Sequence, residues 1–142
     1  MQLVDVNVLV YAFREDSPDH SGYYDWVSEL LSSHEAYAVS DYVLSGFVRI
    51  ATHPRIFHPP TPLDRAMAFA EAYRDRPNAV PIAPGARHWG LFTQLCRKAE
   101  ARGNLVADAW IAALSIEWGC ELITTDRDFA RFAGLRWRHP LR

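Results

Sequence analysis

Three aspartates lie at the ends or beginnings of apolar segments. Asp5 follows the run QLV, Asp126 follows LITT, and Asp108 lies in the first turns of NLVADAWIAALSIEW. Burying an unpartnered carboxylate is costly, by several kcal/mol or more, and clustered carboxylates also repel one another. A hard divalent cation such as Mg²⁺ or Mn²⁺ offsets both effects, because these ions favour oxygen ligands. A cation held there can activate water and bind a phosphodiester oxygen, so the three acids are candidates for a metal-dependent hydrolase site.

Short apolar strands alternate with longer helical segments along the chain. The patterns predict strands at about 3–4, 36–40, 79–82, 121–124 and 135–138, and helices at about 6–13, 17–31, 41–52, 61–74, 86–103 and 104–119. Ser17, Thr61 and Asn104 are the expected N-caps, and Gly103 is the expected C-terminal glycine of the fifth helix. This order predicts an α/β fold with a mostly parallel sheet, in which ligands bind beyond the carboxyl ends of the strands.

Each acid also has a purely structural explanation. Asp5 is able to cap the helix that follows it, Asp108 is able to complement a helix dipole, and Asp126 is able to cap a short helix at 127–132. The helix around Asp108 is apolar over most of its circumference and is expected to be buried. Capping explains each acid singly, but three acids at one sheet edge favour the metal hypothesis.

The composition limits the class of protein. A chain of 142 residues, with 49% hydrophobic and 23% charged residues, is typical of one globular domain spanning residues 1–142. No apolar run is long enough for a membrane span, and Asp5 interrupts the amino-terminal run, so neither a span nor a signal peptide is expected. Cys96 and Cys120 form no disulfide or zinc pattern, which fits a reducing cytoplasm.

The charge is informative only in its distribution. The net charge of −2 gives no indication of a nucleic-acid partner. Residues 127–142, however, contain five arginines and a single acid, Asp128. This segment is either a solvated carboxy-terminal surface or an edge that faces phosphate groups.

These motifs resemble those of PIN-domain ribonucleases, and more closely the VapC toxins of bacterial toxin–antitoxin pairs. The resemblance starts at LVDVNVLVYAF, continues through VLSGFVRIATHPRIF and ends with GNLVADAWIAALSIEWGCELITTDRDFARFAGLRWRHPL. It implies a PIN-like three-layer fold, with a central mostly parallel sheet flanked by helices. It also implies that Asp5, Asp108 and Asp126 are catalytic metal ligands for Mg²⁺ or Mn²⁺, with Asp128 as an additional one.

The resemblance implies further roles for individual residues and for partners. Asn7 and Thr124 would orient the ligands, and Arg49 and Arg127 would bind substrate phosphates. The expected substrate is RNA, with tRNA or rRNA as targets. A VapB-like antitoxin would neutralise the enzyme, and a homodimer is expected. Three aromatic residues are also candidates for stacking on RNA bases or, alternatively, are part of the core: Tyr42, Phe57 and Trp89.

One position departs from the family pattern. PIN domains usually carry a glutamate three residues before the arginine of the third helix, and Gly46 stands at that position before Arg49. The alternative function is therefore a PIN-fold module that binds RNA or the antitoxin with weak or no catalysis. Glu15 and Asp41 are the nearest candidates to replace the missing acid, although neither aligns with it.

Two other enzyme classes fit the residues less well. Haloacid-dehalogenase-like phosphatases and receiver domains also place an aspartate after the first strand, but both need a positioned lysine. Lys98, the only lysine, lies in the middle of a predicted helix. The six histidines show no metal-binding spacing, so a histidine-based ribonuclease has no support from the pattern.

Overall fold

The computed structural model describes residues 1–142. Five strands alternate with six α-helices and one short 3₁₀ helix. In chain order the elements are β1 Gln2–Val4, α1 Val6–Phe13, α2 His20–Ser32, β2 Tyr37–Ser40, α3 Asp41–Ala51, α4 Leu63–Arg74, β3 Ala79–Ile82, α5 His88–Ala99, α6 Asn104–Glu117, β4 Glu121–Ile123, the 3₁₀ helix Arg127–Arg131 and β5 Trp137–Arg138.

All five strands form one parallel sheet in the order β3-β2-β1-β4-β5. The chain moves outward from β1 to β3 and then returns to β4 on the other side of β1. Right-handed crossovers require the connecting helices to change face at this reversal. The packing agrees, because α1 contacts α2 and α3, α3 contacts α4, and α5 contacts α6. The predicted α/β fold with helices on both sides of a parallel sheet is confirmed.

The reversal makes the gap between the carboxyl ends of β1 and β4 the switch point of the sheet, where ligands bind in open α/β folds. The strands beneath it are rigidly packed: Leu3, Val4, Leu122 and Ile123 are all at most 1% exposed. Their uninterrupted burial fits a parallel sheet covered on both faces. The residues that follow β1 and β4 are therefore held by the most deeply buried part of the core.

All three predicted N-caps are wrong, and the first two precede α2 and α4. The second helix begins at His20 rather than near Ser17, and Asp19 precedes it in a left-handed conformation with φ 56°. Thr61 does not cap α4, because its hydroxyl accepts a hydrogen bond from Arg14 Nη1 at 3.2 Å and the side chain is buried. In both places a turn or a long-range contact outweighs the local serine–proline or threonine–proline pattern.

The boundary between α5 and α6 also differs from the prediction. Helix α5 ends at Ala99, and Glu100 adopts the left-handed conformation that was expected of Gly103. Gly103 instead precedes α6 with φ 59°, and Asn104 is the first residue of that helix rather than its cap. The glycine therefore serves the entry into α6, not the exit from α5.

No helix of the structure is both long enough and apolar enough to cross a lipid bilayer.

Candidate functional site

Asp5 occupies the first position after β1 and is held from three directions. Its backbone N–H donates to the Ile123 carbonyl at 2.9 Å, which ties it to β4. Its Oδ1 accepts from the Val6 N–H at 2.7 Å, and its Oδ2 accepts from the Thr124 hydroxyl at 2.7 Å. The residue is only 6% exposed. Asp5 does cap α1, as the structural explanation of this acid predicts. Capping alone does not explain why a carboxylate is buried at the switch point.

Thr124 connects Asp5 to the segment after β4. Its hydroxyl donates to Asp5 and accepts from the Asp126 backbone N–H at 3.1 Å. Asp126 in turn caps the 3₁₀ helix, because its Oδ1 accepts from the Asp128 N–H at 2.8 Å. Thr124 is fully buried, so these bonds form in a low-dielectric environment that strengthens them. One hydroxyl thus sets the spacing between two of the candidate acids.

Asp108 reaches the same region from α6. Burial, together with the negative charges of Asp126, Asp5 and Asp128, raises the pKa of Asp108 to about 6. The pKa of Asp5 is also raised, chiefly by burial, although its bonds from Thr124 and Val6 oppose the shift. Carboxylates that disfavour each other's ionisation must lie close together. Asp5, Asp126 and Asp128 thus lie within range of the Asp108 charge at the carboxyl edge of the sheet, and we call these four predicted acids the acid cluster.

No cationic side chain neutralises this acid cluster. All four ion pairs of the structure lie elsewhere, and none involves Asp5, Asp108, Asp126 or Asp128. Near Asp5 in the chain, Asn7 Oδ1 is a further oxygen that is buried without a hydrogen-bond partner. Carboxylate and amide oxygens without a counter-charge suit a hard divalent cation.

The acids do not form a closed set of direct ligands. No three histidine, cysteine, aspartate or glutamate side chains approach closely enough to hold a metal ion by themselves. Mg²⁺ commonly keeps several waters and takes only one or two carboxylates. The donor set thus fits a cation that is bound in part through water.

Comparison with known proteins agrees with this architecture. The PIN-domain family profile matches residues 3–135. Ribonuclease VapC25 of Mycobacterium tuberculosis is 41% identical over 140 residues, which cover 99% of each chain. Ribonuclease VapC43 of the same organism is 43% identical over 141 residues, which cover 99% of this chain and 96% of the relative.

The chain belongs to the VapC family of PIN domains. Among solved structures, VapBC-1 from nontypeable Haemophilus influenzae has a similar fold, with a TM-score of 0.71 at 17% identity. The match covers 99% of this chain and 98% of that one. The resemblance inferred from the motifs is therefore confirmed.

Gly46 of this PIN domain lies against α1. A Cβ at this position would be 3.0 Å from Val6 Cγ2, so the Val6 side chain fills the space beside the glycine. Neither proposed substitute for the missing acid joins the acid cluster by its contacts. Asp41 pairs with Arg74 at 2.8 Å, and Glu15 is exposed in the turn after α1. The acid set of this chain consists of aspartates alone.

The candidate substrate-binding residues have different surroundings. Arg49 and Arg127 are exposed, and neither side chain makes an ion pair. Tyr42 and Trp89 are 47% and 65% exposed, so their rings are accessible. One face of the Phe57 ring is covered, because the Arg14 guanidinium lies 4.2 Å from its ring centroid. The stacking role of Phe57 stays a prediction, for the opposite face of its ring only.

Two polar residues at this edge of the sheet escaped the sequence analysis. Extending the β1–β2 register from Leu3 and Ala38 puts Ser40 beside Asp5, and the β4–β5 register puts His139 beside Thr124. Ser40 is buried and caps α3, whereas burial followed by the charges of Arg142 and Arg127 lowers the pKa of His139. Ser40 ends a predicted strand and His139 follows one. Their positions at strand ends could have indicated that they lie near the site.

Proposed function

We propose that this protein is a divalent-metal-dependent endoribonuclease of the toxin type, active in the cytoplasm on tRNA or rRNA. The acid cluster carries the proposal: four aspartates share the switch point of the sheet, and no cationic side chain neutralises them. The names of the relatives, which are ribonucleases, support the same reaction class.

In the proposed enzyme, Asp5, Asp108 and Asp126 would hold Mg²⁺ or Mn²⁺, directly or through water, and Asp128 would assist. A bound divalent cation supplies activation of water and offsets negative charge on the phosphodiester. Thr124 keeps Asp5 and the backbone of Asp126 in fixed relative positions through its two hydrogen bonds. Asn7 contributes an oxygen that has no partner within the protein.

The same proposal assigns substrate and protein partners. Arg49 and Arg127 bind phosphates of the RNA backbone, since both are exposed and free of ion pairs. A VapB-like antitoxin neutralises the enzyme, and the enzyme is a homodimer. The solved structure of a VapBC pair with the same fold supports the antitoxin assignment. An antitoxin arginine is suited to the acid cluster, because charge-assisted bonds to carboxylates are strong.

The experiment is cleavage of total tRNA and rRNA by purified, antitoxin-free protein in Mg²⁺, in Mn²⁺ and in EDTA. Asp108→Asn is compared with Asp25→Asn, a matched change at an exposed position on α2 that makes no hydrogen bond or ion pair. We expect discrete fragments that disappear in EDTA and in Asp108→Asn but persist in Asp25→Asn. Light scattering on the same samples tests the homodimer.

The alternative of a binding module without turnover makes a different prediction for the same experiment. If folded protein cleaves no RNA in either cation, the missing acid at Gly46 is the first explanation to test. Because an added side chain meets Val6, a Gly46→Glu change must be paired with Val6→Ala. If that double variant cleaves RNA, the absent glutamate explains why the wild type does not.

A further inference from the structure

Basic side chains gather where the end of α5 meets the 3₁₀ helix. The two segments are tied together, because Nη2 of Arg131, the last residue of the 3₁₀ helix, donates to the Ala99 carbonyl at 3.3 Å. Ala99 is the last residue of α5. The cations within three residues of this contact are all exposed, and we call them the basic ridge: Arg97, Lys98, Arg102 and Arg131.

The basic ridge has no counter-charge within the protein. None of its four side chains forms an ion pair, and Glu100, the one acid among residues 97–102, forms none either. Cations in the last turn of α5 complement the negative end of the helix dipole, but that effect fades within one turn. The dipole accounts for Arg97 and Lys98 and leaves Arg102, beyond the helix, unexplained. A group of exposed like charges attracts an anionic partner.

The 3₁₀ helix joins the basic ridge to the acid cluster. Asp126, a member of the acid cluster, caps this helix at one end, and Arg131 ends it at the ridge. A 3₁₀ helix rises about 2.0 Å per residue, so its five residues put the ridge roughly 10 Å from the acid cluster. Arg127, which the proposed function assigns to a substrate phosphate, is the first residue of the same helix. The cations therefore continue outward from the site in one direction.

We infer that the basic ridge is an additional RNA-binding surface, which holds backbone phosphates of the substrate beyond the cleavage site. This inference rests on the proposed function for the identity of the polyanion. The carboxylates of the acid cluster repel phosphates when no cation is bound, so affinity for RNA comes from basic side chains outside the cluster. Phosphate contacts position a nucleic acid without reading its sequence. The ridge therefore contributes affinity and orientation, and it does not select the cleaved sequence.

The test measures how RNA binding depends on salt, without cleavage. Fluorescein-labelled single-stranded RNA of mixed sequence, roughly 16 nucleotides long, is titrated with the full-length protein in EDTA, and the fluorescence anisotropy is recorded. The logarithm of the affinity falls with the logarithm of the salt concentration, with a slope of about 0.7 for each phosphate contact. Arg97→Gln/Arg102→Gln should therefore reduce this slope by about 1.4. Between about 50 and 200 mM KCl, the wild type should then lose about sevenfold more affinity than the variant.

The matched control is Arg55→Gln/Arg65→Gln. It also removes two exposed arginines that form no ion pair, and so makes the same change in net charge on a different surface. We expect this variant to keep the slope of the wild type. Melting curves verify that both double variants fold. If Arg97→Gln/Arg102→Gln does not fold, Arg102→Gln alone repeats the test, with an expected reduction of about 0.7.

The outcomes separate this inference from the nuclease proposal. A smaller slope in Arg97→Gln/Arg102→Gln, but not in the control, supports the basic ridge even if no cation produces cleavage. An unchanged slope overturns the inference even if the enzyme cleaves RNA. An equal reduction in both double variants overturns it as well, because the response would then follow net charge alone. Absence of RNA binding by the wild type also overturns it.

Discussion

Asp5 and Asp41 follow neighbouring strands of the same sheet but lie in opposite environments. Asp5 is 6% exposed, has no cationic partner and has a pKa that burial raises. The Asp41 side chain is 74% exposed and pairs with Arg74, whose hydrogen bond lowers the pKa of that carboxyl. The first acid remains uncompensated within the protein, whereas the second is neutralised on the surface.

The two environments differ because Asp41 lies one residue beyond the position that pairs with Asp5. The β1–β2 register puts Ser40, not Asp41, beside Asp5. Ser40 caps α3 in the way that Asp5 caps α1, and Asp41 becomes the first residue of the helix, turned toward α4. An acid after a strand is therefore not enough for a site. The side chain must also be buried and lack a counter-charge.

The largest expected effect is a loss of metal-dependent RNA cleavage. Asp5→Asn should reduce metal-dependent RNA cleavage by roughly 100-fold or more, because even partners that only orient metal ligands contribute about 10- to 100-fold. Asp41→Asn should change the rate less than about twofold. Initial cleavage rates of tRNA in saturating Mg²⁺, with melting curves to verify folding, measure both. Equal rates for Asp5→Asn and the wild type would remove the acid cluster from the mechanism.

The next largest effect concerns the hydroxyl that links Asp5 to Asp126. Thr124→Val keeps the shape of the side chain but removes both hydrogen bonds, and Thr124→Ser keeps them. We expect Thr124→Val to lower Mg²⁺-dependent cleavage about 10-fold and to require more Mg²⁺ for half-maximal rate. Thr124→Ser should resemble the wild type. The cleavage rate of each variant is measured over a range of Mg²⁺ concentrations. Identical curves for Thr124→Val and Thr124→Ser would contradict the orienting role of the hydroxyl.

Stability should respond to pH with opposite signs at the two kinds of acid. The pKa of Asp108 is raised to about 6, so the folded state holds a proton that the unfolded chain loses above about 4. Its contribution to stability therefore falls as the pH rises from about 4 to 6. In EDTA at pH 7, Asp108→Asn should raise the free energy of unfolding by about 1 kcal/mol, after allowance for its partial exposure.

Asp41 provides the matched control for that experiment. Its pKa is lowered, so its ion pair stabilises the fold above the unfolded pKa and is lost as the pH falls. Asp41→Asn should reduce the free energy of unfolding at pH 7 by less than about 1 kcal/mol. Urea unfolding at pH 3.5 and pH 7 measures both variants. The gain from Asp108→Asn should disappear at pH 3.5, whereas part of the loss from Asp41→Asn should remain, because the folded Asp41 carboxyl stays ionised below its usual pKa. Destabilisation by Asp108→Asn at pH 7 would contradict the raised pKa.

The smallest effect tests the packing beside Asp5. Alanine is favoured over glycine within a helix by about 0.5–1 kcal/mol. Gly90→Ala should gain that amount, because no heavy atom lies within 4 Å of its Cβ position. Gly46→Ala should gain less or lose stability, because Val6 Cγ2 lies 3.0 Å from the added atom. Urea unfolding compares the two, and equal gains would show that α3 does not press on α1 at Val6.

Much of the fold and of the candidate site was accessible from local patterns. The spacing of apolar residues predicted all five strands, and α1 matches its predicted boundaries. The ends of β1 and β4 indicated Asp5 and Asp126, and the apolar helix around Asp108 indicated the third acid. These features depend on residues that are close in sequence, or on strand ends that every parallel sheet brings to one edge.

The chain's own sequence thus determined the order of its elements, the parallel sheet and the acids that meet at its carboxyl edge. Tertiary structure decided which side chains remain free. Asp41 is neutralised by an arginine 33 residues away, and one face of the Phe57 ring is covered by Arg14. Thr61 binds a side chain 47 residues away instead of capping α4. Periodicity reports which face of an element is buried, but counter-charges and ring contacts come from distant segments, so only the folded arrangement distinguishes an open site from a neutralised one.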